Sequence, residues 1–374
     1  MKSRYSVIGR LAGLAVFAGV FLIDSLSVAQ AQPGGRGGSA AADSVDLTFR
    51  DSYAIPGSDA RTDSIVALAK AFAATLTDAQ QQAVQFEFTD NAQRANWSNL
   101  PEGVVQRDGL RLGELSNDQR AALDRLLAET LSESGIRNVE LQLIGDDMLA
   151  SSGGRPNFGS DFYFVSFLGE PSTSAPWMLQ FGGHHLAVNV SFFGSDASFS
   201  PMLTGGQPLH VNFEGSEVHV TERELTAAQA FMDSLSAEQR SAAIRSDRAI
   251  NLLLGPGGYG TVVAPEGLSA ATLGEAQREL LLNVVAARLG FINDDDYGSV
   301  MARIEAEIGQ TFFGWWGPLD AFGAAYFRVT GPSIVMEYAP QGGGPGGGAG
   351  PDHAHAMYRD PTNDYGSGWL SVGP

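Results

Sequence analysis

The residues with most chemistry to offer are six histidines, in a chain of 374 residues that has no cysteine. None falls in a stretch with helical periodicity. His184 and His185 are adjacent behind Gly182-Gly183, His353 and His355 form a His-x-His pair, and His210 and His219 sit in two strand-like stretches. Side chains on an extended chain alternate with a period of two, so His353 and His355 share one side and can grip one ion. Adjacent histidines in a strand point to opposite faces. Only one of His184 and His185 then reaches a shared site, unless the two glycines make an irregular turn. Three imidazoles and a carboxylate are a usual ligand set for zinc, iron or manganese. Glu337, upstream of the His-x-His pair, is the carboxylate expected to complete it, as ligand or as base. Each feature has a plainer reading: histidines beside a glycine-rich loop can be structural or exposed, and Glu337 can be a solvent-facing strand charge.

The stretch from Tyr358 to Gly366 follows the His-x-His pair and is dense in polar groups. Arg359 is expected to clamp a carboxylate or phosphate in two-pronged fashion. Asp360 and Asp364 can orient a ligand histidine or act as base. Glu337, Arg359 and Asp360 are therefore read as catalytic, and Arg94, Trp97 and Asp364 as substrate-binding. Asp-Pro and Asn-Asp also form ordinary turns. The run Asn293–Asp296 lacks calcium-loop spacing and reads as a helix cap. No nucleophile elbow, zincin or phosphate-loop motif is present. A pair of glycosidase carboxylates would leave no short signature.

The formal charge is −19 and the pI about 4.6. That disfavours a basic face for nucleic acid and suits metal ions or cationic ligands. Lys2, Arg4 and Arg10, the apolar run Leu11–Ile23 and Ala29-Gln30-Ala31 read as a cleaved signal peptide over 1–31. The run is too short for a comfortable membrane span, which needs ~20 residues, and no later stretch is long and apolar enough. The protein is expected in the periplasm or secreted. Residues 32–43 are a flexible spacer, and Gln341–Gly350 is a glycine-rich loop.

The elements that must position these residues come in a repeated order. Ala71–Val84 resembles Ala230–Ala243, Gly109–Arg120 resembles Gly267–Arg278, and Phe181–Val190 sits opposite Val329–Tyr338. Helices are expected near Thr62–Val84 and Glu224–Arg245, then Asn117–Ser134 and Thr272–Leu289, with Gly135 and Gly290 ending the latter pair in the left-handed conformation. A further helix covers Tyr297–Ile308. Strands are expected at Phe162–Leu168, Trp177–Phe192, Phe312–Trp316 and Ala325–Tyr338, with a hairpin over 208–221. The fold class is α+β: two pseudo-symmetric repeats, 44–222 and 223–374, each of helices on an antiparallel hairpin or sheet.

The segments Gly182–Asn189, Tyr326–Tyr338 and His353–Gly366, with Phe86–Pro101 and Arg107–Leu115, resemble family 3500 of the domains of unknown function. The resemblance implies one family-sized unit, typically exported from bacteria, and brings no reaction with it. The leading expectation is an exported metal-dependent hydrolase acting on a small or polymer-derived substrate. Its metal ligands would come from His184, His185, His353 and His355. Zinc is the expected ion, with copper, iron and manganese as alternatives. The rivals are a copper or iron oxidoreductase, a non-catalytic metal or small-ligand binder, and a structural envelope protein.

Overall fold

Capping residues divide the first helical stretch in two. Asp59 caps α1 (Ala60–Ala74), and Thr77 opens α2 (Asp78–Val84) with a capping box to Gln80. A short strand β1 (Gln85–Phe86), a single turn α3 (Asn91–Arg94) and β2 (Leu110–Arg111) lead to α4 (Asn117–Thr130) and α5 (Glu133–Ser151). The computed structural model describes residues 45–49, 54–152, 157–342 and 349–370. The expected signal peptide and spacer, and residues 343–348 of the glycine-rich stretch, lie outside the described residues.

Gly135 does not stop a helix. Leu131 closes α4, Ser132 caps α5, and Gly135 lies inside α5 against Phe291, where an added Cβ would meet Phe291 O at 2.8 Å. After α5 come β3 (Phe164–Leu168), β4 (Trp177–Gly183), β5 (Leu186–Phe193), β6 (Asp196–Ser198) and β7 (Met202–Gly206). The hairpin β8 (His210–Phe213) and β9 (Ser216–His219) turns at Glu214-Gly215, both with positive φ, and forms a separate two-stranded sheet. Helices α6 (Glu222–Asp233) and α7 (Ala237–Ala243), strands β10 (Ile244–Ser246) and β11 (Leu268–Ser269), and helices α8 (Glu275–Leu289) and α9 (Asp294–Ala306) follow. Gly290 closes α8 at φ −65°, outside the left-handed region, and Asn293 caps α9 as its sequence suggests. The chain ends in β12 (Phe312–Trp316), β13 (Tyr326–Thr330), β14 (Val335–Gly342), β15 (Ala349–Arg359) and a last turn α10 (Ser367–Leu370).

The fold is α+β, built on one large mixed sheet in the order β1-β3-β4-β5-β7-β15-β14-β13-β12-β10. The two flanks meet where β7 pairs antiparallel with β15, which sets His355 opposite Gly205. Period-two alternation gives the sheet two covered faces. Ala354, Ala356 and Tyr358 join the main core with Phe72, Leu126, Phe231 and Val284 of the helices. Met357, Ala339, Leu203 and Ala187 pack instead with Trp97, Leu252 and Leu254 of the long connections. None of the described helices is long and apolar enough to cross a membrane.

Several details recur in both flanks. β1 runs parallel to β3, and β10 parallel to β12. Phe164 pairs with Gly182, and Phe312 with Thr330. The Gln80 and Gln119 amides bond each other at 2.9 and 3.3 Å, and those of Gln239 and Gln277 at 2.8 and 3.0 Å. Gly109 and Gly267 adopt φ of +116° and +97°, each against the backbone of a neighbouring strand. An added Cβ would lie 2.9 Å from Val165 O at Gly109 and 2.1 Å from Phe313 O at Gly267. Alanine at either position is expected to cost about 2–4 kcal/mol, from strained φ plus a clash with backbone that cannot retreat. Urea unfolding of the two variants checks this, and a cost under about 0.5 kcal/mol contradicts it.

Candidate metal centre

The centre forms where the tip of one hairpin meets the start of β15. Gly183 pairs with Leu186, so His184 and His185 are the two residues of a tight turn rather than parts of a strand. That corrects the expected continuous strand over Trp177–Phe192 and the opposite-face placement of the two rings. His185 takes φ +62°, a region that costs a non-glycine residue about 1–2 kcal/mol. The surroundings hold the turn in that state. Arg107 Nη2 donates to Gly183 O at 3.1 Å, and Tyr163 Oη donates to His184 O at 2.5 Å. Gly183 admits no larger residue, because an added Cβ would stand 2.7 Å from the Tyr163 ring.

His185, His353 and His355 converge. Their ring centroids form a near-equilateral triangle with sides of 4.9, 5.0 and 5.0 Å. Each can offer one nitrogen, and the three nitrogens lie within 4.8 Å of one another. His185 Nε2 and His353 Nε2 are 3.0 Å apart. Two nitrogens on one tetrahedral zinc ion stand about 3.3 Å apart, given Zn–N bonds of ~2.0–2.1 Å. His353 Nδ1 and His355 Nε2 are buried with no hydrogen-bond partner. An unpartnered buried nitrogen is costly, and a cation among the three rings would give His355 Nε2 a partner. These three residues can therefore hold a metal ion, and no carboxylate among the described residues joins them.

Two further residues shape the group. His184 Nδ1 donates to Asp146 Oδ1 at 2.6 Å, and the His184 ring lies against His185 with centroids 3.6 Å apart. His184 thus stands behind the trio rather than in it, tied to α5. Asn99 Nδ2 is 3.4 Å from His355 Nδ1. As placed, the amide nitrogen donates to Nδ1; only with its oxygen turned to the ring would Asn99 hold a proton on Nδ1 and leave Nε2 free to coordinate.

Burial pushes His185 and His355 well below the ordinary histidine range, and neighbouring imidazoles add to the effect. His353 is lowered to about 4, first by burial and then by His184, with Asp352 opposing. All three are neutral at pH 7, which is the form that binds metal. Protons compete for an ordinary imidazole once pH falls through ~6.5, costing about tenfold in affinity per ligand at pH 5.5. Here burial holds His185 and His355 well below that range and His353 at about 4, so zinc affinity is expected to change less than about threefold between pH 7.5 and 5.5. Chelator competition measures it, and a fall of about a hundredfold over that interval would contradict the burial argument.

The other expected site residues are engaged elsewhere. Glu337 is fully buried on β14 and accepts from Leu253 N at 2.9 Å, Leu254 N at 2.8 Å and Tyr326 Oη at 2.6 Å. It anchors the connection over 249–258 and is not in the group that the three histidines form. Arg359 bonds Asp364 and donates to Leu254 O at 2.9 Å and Gly255 O at 3.2 Å, so its fork is filled by the protein. Asp364 also accepts from Ser200 Oγ at 2.5 Å. Asp360 shapes its turn through Thr362 N at 2.9 Å and pairs with Arg303 at 2.5 Å. Arg94 is buried, bonded to Phe88 O and stacked on the Phe88 ring at 4.8 Å. Trp97 Nε1 donates to Tyr365 Oη at 2.6 Å. His210 reaches Asp352 at 3.2 Å on the separate hairpin and lies outside the trio. Asp146, which shapes the centre, carries no motif in the sequence; Asn99 and Arg107 fall in the Phe86–Pro101 and Arg107–Leu115 segments but are not singled out there.

The family model described as protein of unknown function (DUF3500) matches residues 58–367, a span that includes all three histidines of the trio. No curated protein and no solved structure matches the chain.

Proposed function

We propose, for a chain that belongs to the DUF3500 family, that it is an exported metal-dependent hydrolase whose ion is held by His185, His353 and His355. The observation that carries this reading is a three-imidazole group, two rings buried and one half-buried, that no fourth histidine or carboxylate joins among the described residues. Closed sets of four protein ligands are structural, whereas three ligands with an open position are the arrangement of catalytic zinc sites. Neutral nitrogen ligands favour zinc, with copper and iron also suited to imidazole, whereas manganese prefers oxygen ligands. Bound there, such an ion would supply Lewis acidity to a substrate oxygen or to water. The protein's own contribution is orientation: Asp146 fixes His184 against His185, and Asn99 fixes His355. Metal-loaded and stripped protein should be compared on ester, amide and phosphoester substrates. Hydrolysis that is lost with chelator and restored by zinc is the expected result. Equal rates in both forms would overturn the reading.

Export rests on the first 31 residues. Expression in a secreting host should yield a mature chain beginning at Gln32, and an intact mass that starts at Met1 would contradict it.

The reading of 44–222 and 223–374 as two pseudo-symmetric repeats draws support from the recurring strand registers, paired glutamines and positive-φ glycines. On that reading His185 answers to Ser333 and Asn189 to Glu337. The histidines would then be an elaboration of one half on a shared frame.

A further inference from the structure

Each histidine of the trio must be aimed by something. His185 has its turn, held by Arg107 and Tyr163. His355 sits inside a regular ladder, opposite Gly205 on one side and Ala339 on the other. His353 has neither. Regular pairing of β15 with β7 and β14 begins at Ala354, and the pair before it, Ala349 with Gly342, lies across a shift of register. His353 therefore stands just outside the ladder. The stretch leading towards it, Gln341–Gly350, is glycine-rich, and glycine restrains a backbone least.

The residue before it supplies a hold. Asp352 Oδ1 accepts from Leu209 N at 2.9 Å and from His210 N at 3.4 Å, and His210 Nδ1 lies 3.2 Å from the same oxygen. The support is firm, because Leu209 and Val211 are buried in the main core and Val220 N donates to Leu209 O at 2.9 Å. Successive side chains of an extended chain point to opposite sides. A carboxylate fixed on the hairpin thus turns the next side chain, His353, the other way, towards His185 and His355. We propose, resting on the metal reading of the trio, that Asp352 is the positioning residue of His353, its carboxylate clasped by the hairpin so that the third imidazole stays aimed at the ion. Without the clasp His353 would have to be ordered as the ion binds, and that ordering weakens binding.

Two variants of the full mature chain test this. Asp352→Ala removes the clasp, whereas Asp352→Asn removes the charge and keeps an acceptor oxygen. The side chain is 60% exposed, so neither change should unfold the protein. In metal-free protein, nitrogen relaxation at the His353 amide should give an order parameter of about 0.85 in the parent and in Asp352→Asn, and below about 0.6 in Asp352→Ala. With zinc, chelator competition should show Asp352→Ala weaker than the parent by about 10–100-fold, the usual effect of losing a residue that orients a ligand. Asp352→Asn should stay within about threefold of the parent. The proposal is overturned if the His353 amide is as ordered in Asp352→Ala as in the parent, or if Asp352→Ala binds zinc as tightly as the parent does. Equal losses of affinity in the two variants also overturn it, since Asp352 would then act as a charge and not as an anchor. A parent that binds no zinc would sink the metal reading instead, and the relaxation measurement would still decide whether Asp352 fixes His353.

Discussion

Replacing His355 by alanine is expected to lower zinc affinity by more than about 100-fold while leaving the fold in place. Losing a residue that merely orients a ligand typically costs about 10–100-fold, and His355 would be a ligand itself. The cost to folding should be small. His355 Nε2 is a buried nitrogen without a partner, so its removal relieves a desolvation penalty that offsets much of the lost packing. Tm of the metal-free variant should stay within about 5 °C of the parent. The stabilisation that zinc gives the parent should vanish, because ligand-linked stability follows from binding to the native state. Chelator competition and thermal unfolding, each with and without zinc, read both effects. Unchanged affinity in folded His355→Ala protein would remove His355 from the metal centre.

Replacing Glu337 by alanine should do the reverse. Its carboxylate is buried, and Leu253 N, Leu254 N and Tyr326 Oη all donate to it. Burial raises its pKa, while these donors and nearby Arg328 oppose the rise. Truncation leaves the Leu253 and Leu254 N–H groups and the Tyr326 hydroxyl without their acceptor, and takes one negative charge from beside Arg328, which keeps its pair with Glu266 at 2.7 Å. Breaking such a cluster costs about 3–5 kcal/mol. At about 2–4 °C per kcal/mol, Tm should fall by about 6–20 °C. Zinc affinity of the protein that remains folded should be unchanged, since Glu337 lies outside the trio. A variant with parental Tm but lost metal would restore Glu337 to the role its sequence position suggests.

That contrast locates what is legible in the sequence. His353 and His355 can be paired from spacing alone, because a strand's period of two puts them on one side whatever the rest of the fold does. The partner histidine is visible only as an alternative. His184 and His185 lie in a turn, and which ring reaches the trio depends on His185 adopting a positive φ that Arg107 and Tyr163 hold from elsewhere in the chain. Glu337, Arg359, Asp364 and Trp97 read as chemistry because polar groups among strands and aromatics suggest it. Their partners are Leu254, Ser200 and Tyr365, distant in sequence, and no local pattern announces a hydrogen bond across 268 positions such as that from Trp97 to Tyr365. The α+β class and most strands follow from periodicity and capping residues. The joining of the two flanks through β7 and β15 into one sheet does not, since strand order is set by packing between segments with no shared local signal.

The most direct measurement is X-ray absorption at the zinc edge, on untagged mature protein loaded with zinc and freed of excess. The account predicts about one ion per chain, with about three imidazole ligands at ~2.0–2.1 Å and one further light atom completing the tetrahedron. Fewer than two imidazoles around the ion, or no zinc retained after gel filtration, would contradict it.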